Sequence, residues 1–236
     1  SRSSAASDVY KRQVVDAKIG VEPSGDAFNE ISVDERTKTP KNAMINAGAI
    51  AAVSLVPGAS PDERFAKIQE FYSACAGRQL DLDEDVYRSE KATGNRNRAI
   101  AYMLTSFGIL DDPDDVLDVY FRQCSLRVTS VDLARMAATM ARGGINPQTG
   151  RRVTVAKVVQ RTLSVMVTCG MYNGAGDWVS AVGMPAKSGV GGGITAVLPG
   201  QLGIGVYSPL LDDRGNSVRG VLVCRALSQR LGLHFL

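Results

Sequence analysis

The chain has 236 residues, 44% of them hydrophobic and 22% charged, an ordinary globular composition with room for one large domain or two small ones. Its net charge is +3, of which Arg2, Asp8, Lys11 and Arg12 supply +2, so the remainder is nearly neutral and carries no basic stripe for nucleic acid or an anionic membrane. No apolar run reaches the roughly 20 residues that a membrane-spanning helix needs.

Residues Ser1 to Gln13 show no apolar periodicity and lack the apolar core of an export signal. They read as a non-native leader, an adapter or fusion scar, with the folded domain expected over 14–236. From Val14 the chain leaves an element and turns at Pro23-Ser24-Gly25. The region from Asn42 to Gly170 reads as helical, and three starts are explicit. Ser60-Pro61-Asp62-Glu63 places a capping Ser before Pro at the first helical position. Phe65, Ile68, Tyr72 and Cys75 then recur at helical spacing until Gly77. Asp112-Pro113 repeats the device before Val116 to Cys124, and Thr129 to Asp132 does so before a helix stopped by Gly143-Gly144.

After Tyr172 the texture changes. Trp178 to Val182, Gly193 to Leu198 and Leu202 to Tyr207 are short apolar runs between Gly and Pro, which predict three strands in a meander. Gly215-Asn216 makes a turn, and Val218 to Leu231 predicts a closing helix. A helical lobe over about 26–170 beside a sheet lobe over about 171–236 would hold its site in the cleft between them.

The four cysteines, Cys75, Cys124, Cys169 and Cys224, are far apart, which speaks against a disulfide framework or a zinc site. They read as buried apolar side chains in a reducing compartment. The single histidine, His234, stands at the chain end, a poor place for a catalytic base.

Several polar residues stand out against this background. The segment Pro185-Ala186-Lys187-Ser188-Gly189-Val190-Gly191-Gly192-Gly193-Ile194 runs into a strand rather than a helix, unlike a dinucleotide loop, and its Lys precedes the glycines, unlike a phosphate-binding loop. It suits an edge strand whose amides face a reacting carbonyl, where backbone donors are worth several kcal/mol. Tyr172 is either a packing residue at a helix end or a proton carrier, and the second role needs a cation nearby to lower a pKa near 10. Glu90 is either a solvated carboxylate or the counter-ion of an ammonium group. Asn97, about two helical turns on, is predicted to share a helix face with it. Asn46 sits among small apolar residues and must find partners there or hold a ligand.

In order and spacing, Met44-Ile45-Asn46-Ala47-Gly48, Ser89-Glu90 with Arg96-Asn97, Cys169-Gly170-Met171-Tyr172 and the Lys187-Ser188-Gly189 segment resemble the serine-dependent glutaminases. That family is a branch of the fold shared with β-lactamases and penicillin-binding proteins. The resemblance covers roughly Val14 to Leu236. It implies an α+β fold, a helical lobe beside an α/β lobe with antiparallel sheet, here without the N-terminal part of that sheet lobe. It implies that Asn46, Glu90, Asn97, Tyr120, Tyr172 and Val190 hold the amino acid, that Tyr172 acts as general base and that the Val190 N–H completes an oxyanion hole, with Lys187, Ser188 and Gly189 in support. The implied reaction is hydrolysis of L-glutamine to L-glutamate and ammonia through a serine acyl-enzyme, without metal or cofactor, in a cytoplasmic homo-oligomer (dimer or tetramer).

Two departures stand against the pattern. Asn173 follows Tyr172 where an acidic residue is common. More seriously, the chemistry runs on a Ser-x-x-Lys pair, and no Ser precedes any Lys by three residues in this chain, so the lysine expected as the cation beside Tyr172 is missing with it. The expectation is an N-terminally truncated chain that binds glutamine poorly and does not turn it over. A β-lactamase or D,D-peptidase-like serine hydrolase suits Lys187-Ser188-Gly189 but would need a Ser-Asp-Asn that is absent. A non-catalytic amino-acid-binding module fits the missing nucleophile.

Overall fold

The computed structural model describes residues 12–235, so all but the last two residues of the expected leader lie outside it. A first helical turn, α1 (12–16), runs through the expected boundary at residue 13. The helices that follow are α2 (Asn46–Ser54), α3 (Pro61–Ala76), α4 (Glu84–Thr93), α5 (Asn95–Ser106), α6 (Pro113–Cys124), α7 (Ser130–Ala141), α8 (Ala156–Cys169) and α9 (Ala175–Ala181). Three strands, β1 (Ala186–Ser188), β2 (Gly193–Leu198) and β3 (Leu202–Tyr207), precede the closing helix α10 (Val218–Leu231). Among the described residues no helix is long and apolar enough to cross a membrane.

The helix ends follow the capping chemistry. Ser60 accepts from the Glu63 N–H and Asp112 from the Asp115 N–H, with Pro at the first turn of both helices, while Gly77 closes α3 at a left-handed φ of 74°. Thr129 and Asp132 form a reciprocal capping box, and Arg78 grips the same carboxylate with Nε and Nη2 at 2.8 and 2.6 Å. A bidentate guanidinium on a buried capping carboxylate ties the loop after α3 to the start of α7.

The sheet is antiparallel in the order β1-β2-β3, with Lys187 opposite Thr195 and Thr195 opposite Gly205. β1 is thus an edge strand, as the sequence predicts. The chain is a mixed α/β structure with separate apolar cores. Ile50, Ile100, Leu104, Leu117 and Phe121 fill the helical one. Met171, Trp178, Met184, Ile194 and Cys224 fill another between α9, the sheet and α10. Helices α7 and α8 cover the other side of the sheet through Ala137, Leu163 and Met166, which cluster with Val197 of β2, so packing crosses the change of texture near residue 170.

One predicted strand is a helix. Trp178 to Val182 lies in and just after α9, with Trp178 and Val182 buried one turn apart and the indole N–H donating to the Met184 carbonyl at 2.7 Å. A five-residue apolar run has no period long enough to separate strand from helix, and the buried helix face decided it. The first strand is instead the short segment carrying Lys187.

Candidate active site

Tyr172 opens a three-residue 3-10 turn at the end of α8 and has φ +55°, a conformation rare for a side chain of this size. Its place is fixed by an unusually close strand. A Cβ on Gly170 would stand 1.7 Å from the Ala186 carbonyl oxygen, and the Ser188 N–H donates to the Gly170 carbonyl at 3.0 Å. The end of α8 therefore lies directly on β1, and the phenol is turned back over it.

The Tyr172 hydroxyl donates to the Ser188 carbonyl at 3.0 Å. Lys187 Nζ reaches that hydroxyl at 3.2 Å, contacts the same carbonyl, and sits 4.4 Å from the centre of the Tyr172 ring. The cation that a proton-carrying phenol requires is thus present within this chain, on β1. It is a weakened cation. Burial pushes the Lys187 ammonium down to about 8 and pushes the Tyr172 phenol up to about 12. The lowered phenol pKa foreseen for a proton carrier is not found: loss of solvent outweighs the amine. Ser188 is 1% exposed, and its hydroxyl has no hydrogen-bond partner among the described residues.

Tyr120, Cys124 and Glu90 lie near enough to this pair to act on one another electrostatically. Burial raises the Tyr120 phenol, and Cys124, Glu90 and Tyr172 add to the rise. Tyr120 is 7% exposed, on the inner face of α6. Cys124, at the end of α6, differs from the other cysteines. It is the free thiol that is exposed, whereas Cys75, Cys169 and Cys224 are buried as expected. Protein nonetheless surrounds it closely enough to push its thiol up to about 11. Sequence reading assigned Cys124 to the core because an apolar face at a helix end cannot distinguish a packed side from an exposed one.

Asn46 and Asn97 come together. Asn46 Nδ2 donates to Asn97 Oδ1 at 2.9 Å, across 51 positions of sequence. Glu90 and Asn97 do not share a helix, contrary to the sequence expectation. The helix breaks at Gly94, whose added Cβ would stand 2.5 Å from the Phe121 ring, so Glu90 belongs to α4 and Asn97 to α5. The break depends on a long-range approach that helical spacing does not record.

Phe28, unnoticed in the sequence, joins the two groups. Its carbonyl accepts from the Asn46 N–H at 3.0 Å, and its ring lies 5.0 Å from that of Tyr172. A Cβ on Gly215 would touch both Phe28 and Val190, at 3.3 and 3.5 Å. Val190 is 49% exposed at the tip of a turn in which Gly189 N–H donates to Gly193 and Gly192 N–H to Gly189, both at 2.9 Å. Among the described residues the Val190 N–H meets no acceptor. His234 is no part of this group: its ring bonds the Val179 carbonyl at 2.9 Å.

The arrangement offers a free backbone donor, a tyrosine hydroxyl on a desolvated amine, and amide and carboxylate groups for a small polar molecule. Among the described residues no group of three or more His, Cys, Asp or Glu converges as a metal site. Two other concavities hold none of the residues predicted for the site. One, of about 400 Å³, is lined largely by apolar residues including Val159, Leu163, Pro185 and Phe235. The other, of about 520 Å³, is charged and includes Asp62, Lys91, Asp118 and Arg122.

A family model described as Glutaminase matches residues 3–236, a span that takes in most of the segment expected to be a leader. A glutaminase of Microcystis aeruginosa is 52% identical over 226 residues, which cover 95% of this chain and 67% of the relative. Glutaminase 2 of Bradyrhizobium diazoefficiens is 56% identical over 223 residues, with 94% of this chain but 36% of the relative covered. Among solved structures, Mglu in its glutamate form matches with a TM-score of 0.89 at 49% identity, over 94% of this chain and 51% of that one. A probable glutaminase of Bacillus subtilis matches with a TM-score of 0.90 at 36% identity, over 95% and 76%. The chain thus spans between about a third and three quarters of the length of these relatives.

Proposed function

The chain belongs to the glutaminase family, and from that premise we propose that it forms the substrate-binding part, with the tyrosine and oxyanion donor, of an enzyme that hydrolyses L-glutamine to L-glutamate and ammonia. The observation that carries the reading is the convergence of Tyr172, Lys187, Tyr120 and Glu90, drawn from α4, α6, the end of α8 and β1. The fold we infer is the β-lactamase-like one, with the site between helices and sheet edge.

In this reading Glu90 pairs with the ligand's α-ammonium, while Asn46, Asn97 and Tyr120 hold its polar groups. A serine hydroxyl attacks the γ-carboxamide carbon and gives its proton to the Tyr172 oxygen, while the Tyr172 hydroxyl proton passes to a neutral Lys187 amine 3.2 Å away and returns as Tyr172 releases the serine's proton. The Val190 N–H stabilises the oxygen that gains charge, a contribution that is largest in a dry, preorganised site. Tyr172 returns the proton to the departing nitrogen, ammonia leaves, and a glutamyl ester remains. Water then attacks the ester, gives its proton to the serine oxygen by the same route, and frees glutamate. Lys187, next to the Tyr172 hydroxyl, holds the phenol's proton during each transfer.

Residues 1–236 contain no Ser three positions before a Lys, so the nucleophile of that scheme is outside them. We therefore propose that the 236-residue chain binds the amino acid without turning it over, and that the enzyme at work is a cytoplasmic homo-oligomer. Two measurements test this. Calorimetry with L-glutamate should give saturable binding that Asn46→Ala weakens by about tenfold or more, as expected for loss of a hydrogen bond to a charged group. An ammonia-release assay with L-glutamine should give no turnover. Turnover at an ordinary enzymatic rate would overturn the second claim, and absence of any glutamate binding would overturn the first.

A further inference from the structure

Helix α4 carries Glu90, yet none of its residues is buried. A helix usually owes its hold on a protein to a buried apolar stripe. Here Tyr87 is partly buried against the helical core, and a Cβ on the glycine after the helix would stand 2.5 Å from the Phe121 ring. The rest is polar: Arg98 donates to the Lys91 carbonyl, the capping Asp83 N–H donates to the Ser125 carbonyl, and two α4 side chains meet on one carboxylate. Asp118 of α6 accepts from the Tyr87 hydroxyl and, at 2.7 Å, from Lys91 Nζ, both through Oδ1. Its Oδ2 faces Arg122 Nη2 at 2.8 Å, and Arg122 Nη1 reaches Asp62 of α3 at 2.6 Å. Asp62, Lys91, Asp118 and Arg122 line the charged concavity, which holds none of the residues predicted to bind the ligand.

The placement is specific. Tyr87 and Lys91 stand one turn apart on α4 and bracket Glu90 in sequence. Tyr120 stands two residues after Asp118 on α6. The Asp118 side chain is 14% exposed, so its contacts are less screened than those of a surface pair. A single carboxylate therefore fixes the helix of Glu90 against the helix of Tyr120.

We propose that Asp118 is a positioning residue. By clamping Tyr87 and Lys91 it sets the Glu90 carboxylate relative to Tyr120, and so governs recognition of the ligand's ammonium group while touching no ligand itself. The inference rests on Glu90 as the partner of that ammonium. Small displacements of a positioned charge are costly, because the interaction depends on distance and on excluded water.

The test uses the 236-residue chain with two probes, L-glutamate and glutarate, the same diacid without the ammonium. Hydrogen exchange follows α4 in parallel. With Asp118→Asn, exchange over α4 should quicken while the buried parts of α3 and α6 hold. L-Glutamate should bind about tenfold more weakly and glutarate nearly as before. Added to Glu90→Gln, Asp118→Asn should cost nothing further, since coupled residues are not additive. If Asp118→Asn does not fold, Lys91→Met, with its exposed side chain, should move the same readings in the same direction by less. Unchanged α4 exchange, an equal loss for both probes, or a full additional loss beside Glu90→Gln would each overturn the role of Asp118. An unsubstituted chain that binds both probes alike would overturn the reading of Glu90, and the recognition role with it. One that prefers L-glutamate but loses nothing on Asp118→Asn would overturn Asp118 alone.

Discussion

The two sides of the site are built on opposite principles. At the Tyr172–Lys187 corner, position comes from backbone pressed on backbone. Gly170 admits the Ala186 carbonyl, Tyr172 is held at a positive φ, and both polar groups are partly withdrawn from water. At the Glu90 corner, position comes from charges: α4 has no buried residue and is tied by Asp118, Lys91 and Arg122. The first is a fixed frame whose electrostatics are strengthened by partial loss of solvent. The second can be adjusted by salt, by a single charge, or by the ligand. On the proposed reading, this division suits a site that must hold a reacting atom still while admitting and releasing an amino acid.

The largest effect expected from breaking the contrast is at Gly170. Gly170→Ala places a methyl group within the Ala186 carbonyl, so β1 must move off α8, at a cost of about 3 kcal/mol or more in urea unfolding. An unfolding midpoint close to that of the unsubstituted chain would mean that the contact is not rigid.

Next in size is a pH dependence. An amine whose folded pKa lies below its unfolded value binds fewer protons folded than unfolded between the two, so stability rises with pH across that window. For Lys187 the window runs from about 8 to the ordinary value of 10.5. The unsubstituted chain should gain on Lys187→Met by on the order of 1–3 kcal/mol over that range, allowing for partial exposure of the side chain. The difference between the two proteins is the quantity to follow. The buried thiols are pushed up from 9.0 and, above that pH, pull the stability of both proteins down together.

A smaller effect tests the strained turn. Tyr172→Asn removes the contacts of the ring and hydroxyl with Phe28, Lys187 and the Ser188 carbonyl but installs a residue that tolerates positive φ. The two changes oppose one another, and the net change in stability should stay within about 1 kcal/mol. A loss well above that would show the ring to be a structural pillar. The mildest perturbation is salt. Raising sodium chloride from 0.05 to 1 M shortens the screening length from roughly 14 to 3 Å. Hydrogen exchange over α4 should then rise a few-fold, with α8 and β1 unchanged; equal changes in both would erase the distinction drawn here.

Much of this frame was legible in the sequence. Ser60, Asp112 and Thr129 announced their helices through side-chain caps, which are local, and Val218–Leu231 was found at both ends. β2 and β3 were found because Gly and Pro bound them closely. What escaped depends on partners far along the chain. The helix break at Gly94 is set by Phe121, and the cation for Tyr172 sits 15 positions away, on β1. The anchor of α4 is an aspartate 27 positions from Lys91. Asp118 carried no motif, since a lone acidic residue on an amphipathic helix predicts only a solvated face. Phe28 was overlooked because its role is to meet three segments, at Asn46, Tyr172 and Gly215, that the sequence keeps apart.

The single tryptophan has an optical consequence. Trp178 is packed in the core between α9, the sheet and α10, with its indole N–H on the Met184 carbonyl. Its emission therefore speaks for the sheet side alone, while far-UV dichroism is weighted towards the many helices of the other side. A denaturation followed by both signals would trace one curve if the molecule melts as a unit. It would trace two if the charge-tied helices let go first, so the chain carries its own reporter of whether its rigid and adjustable parts share a fate.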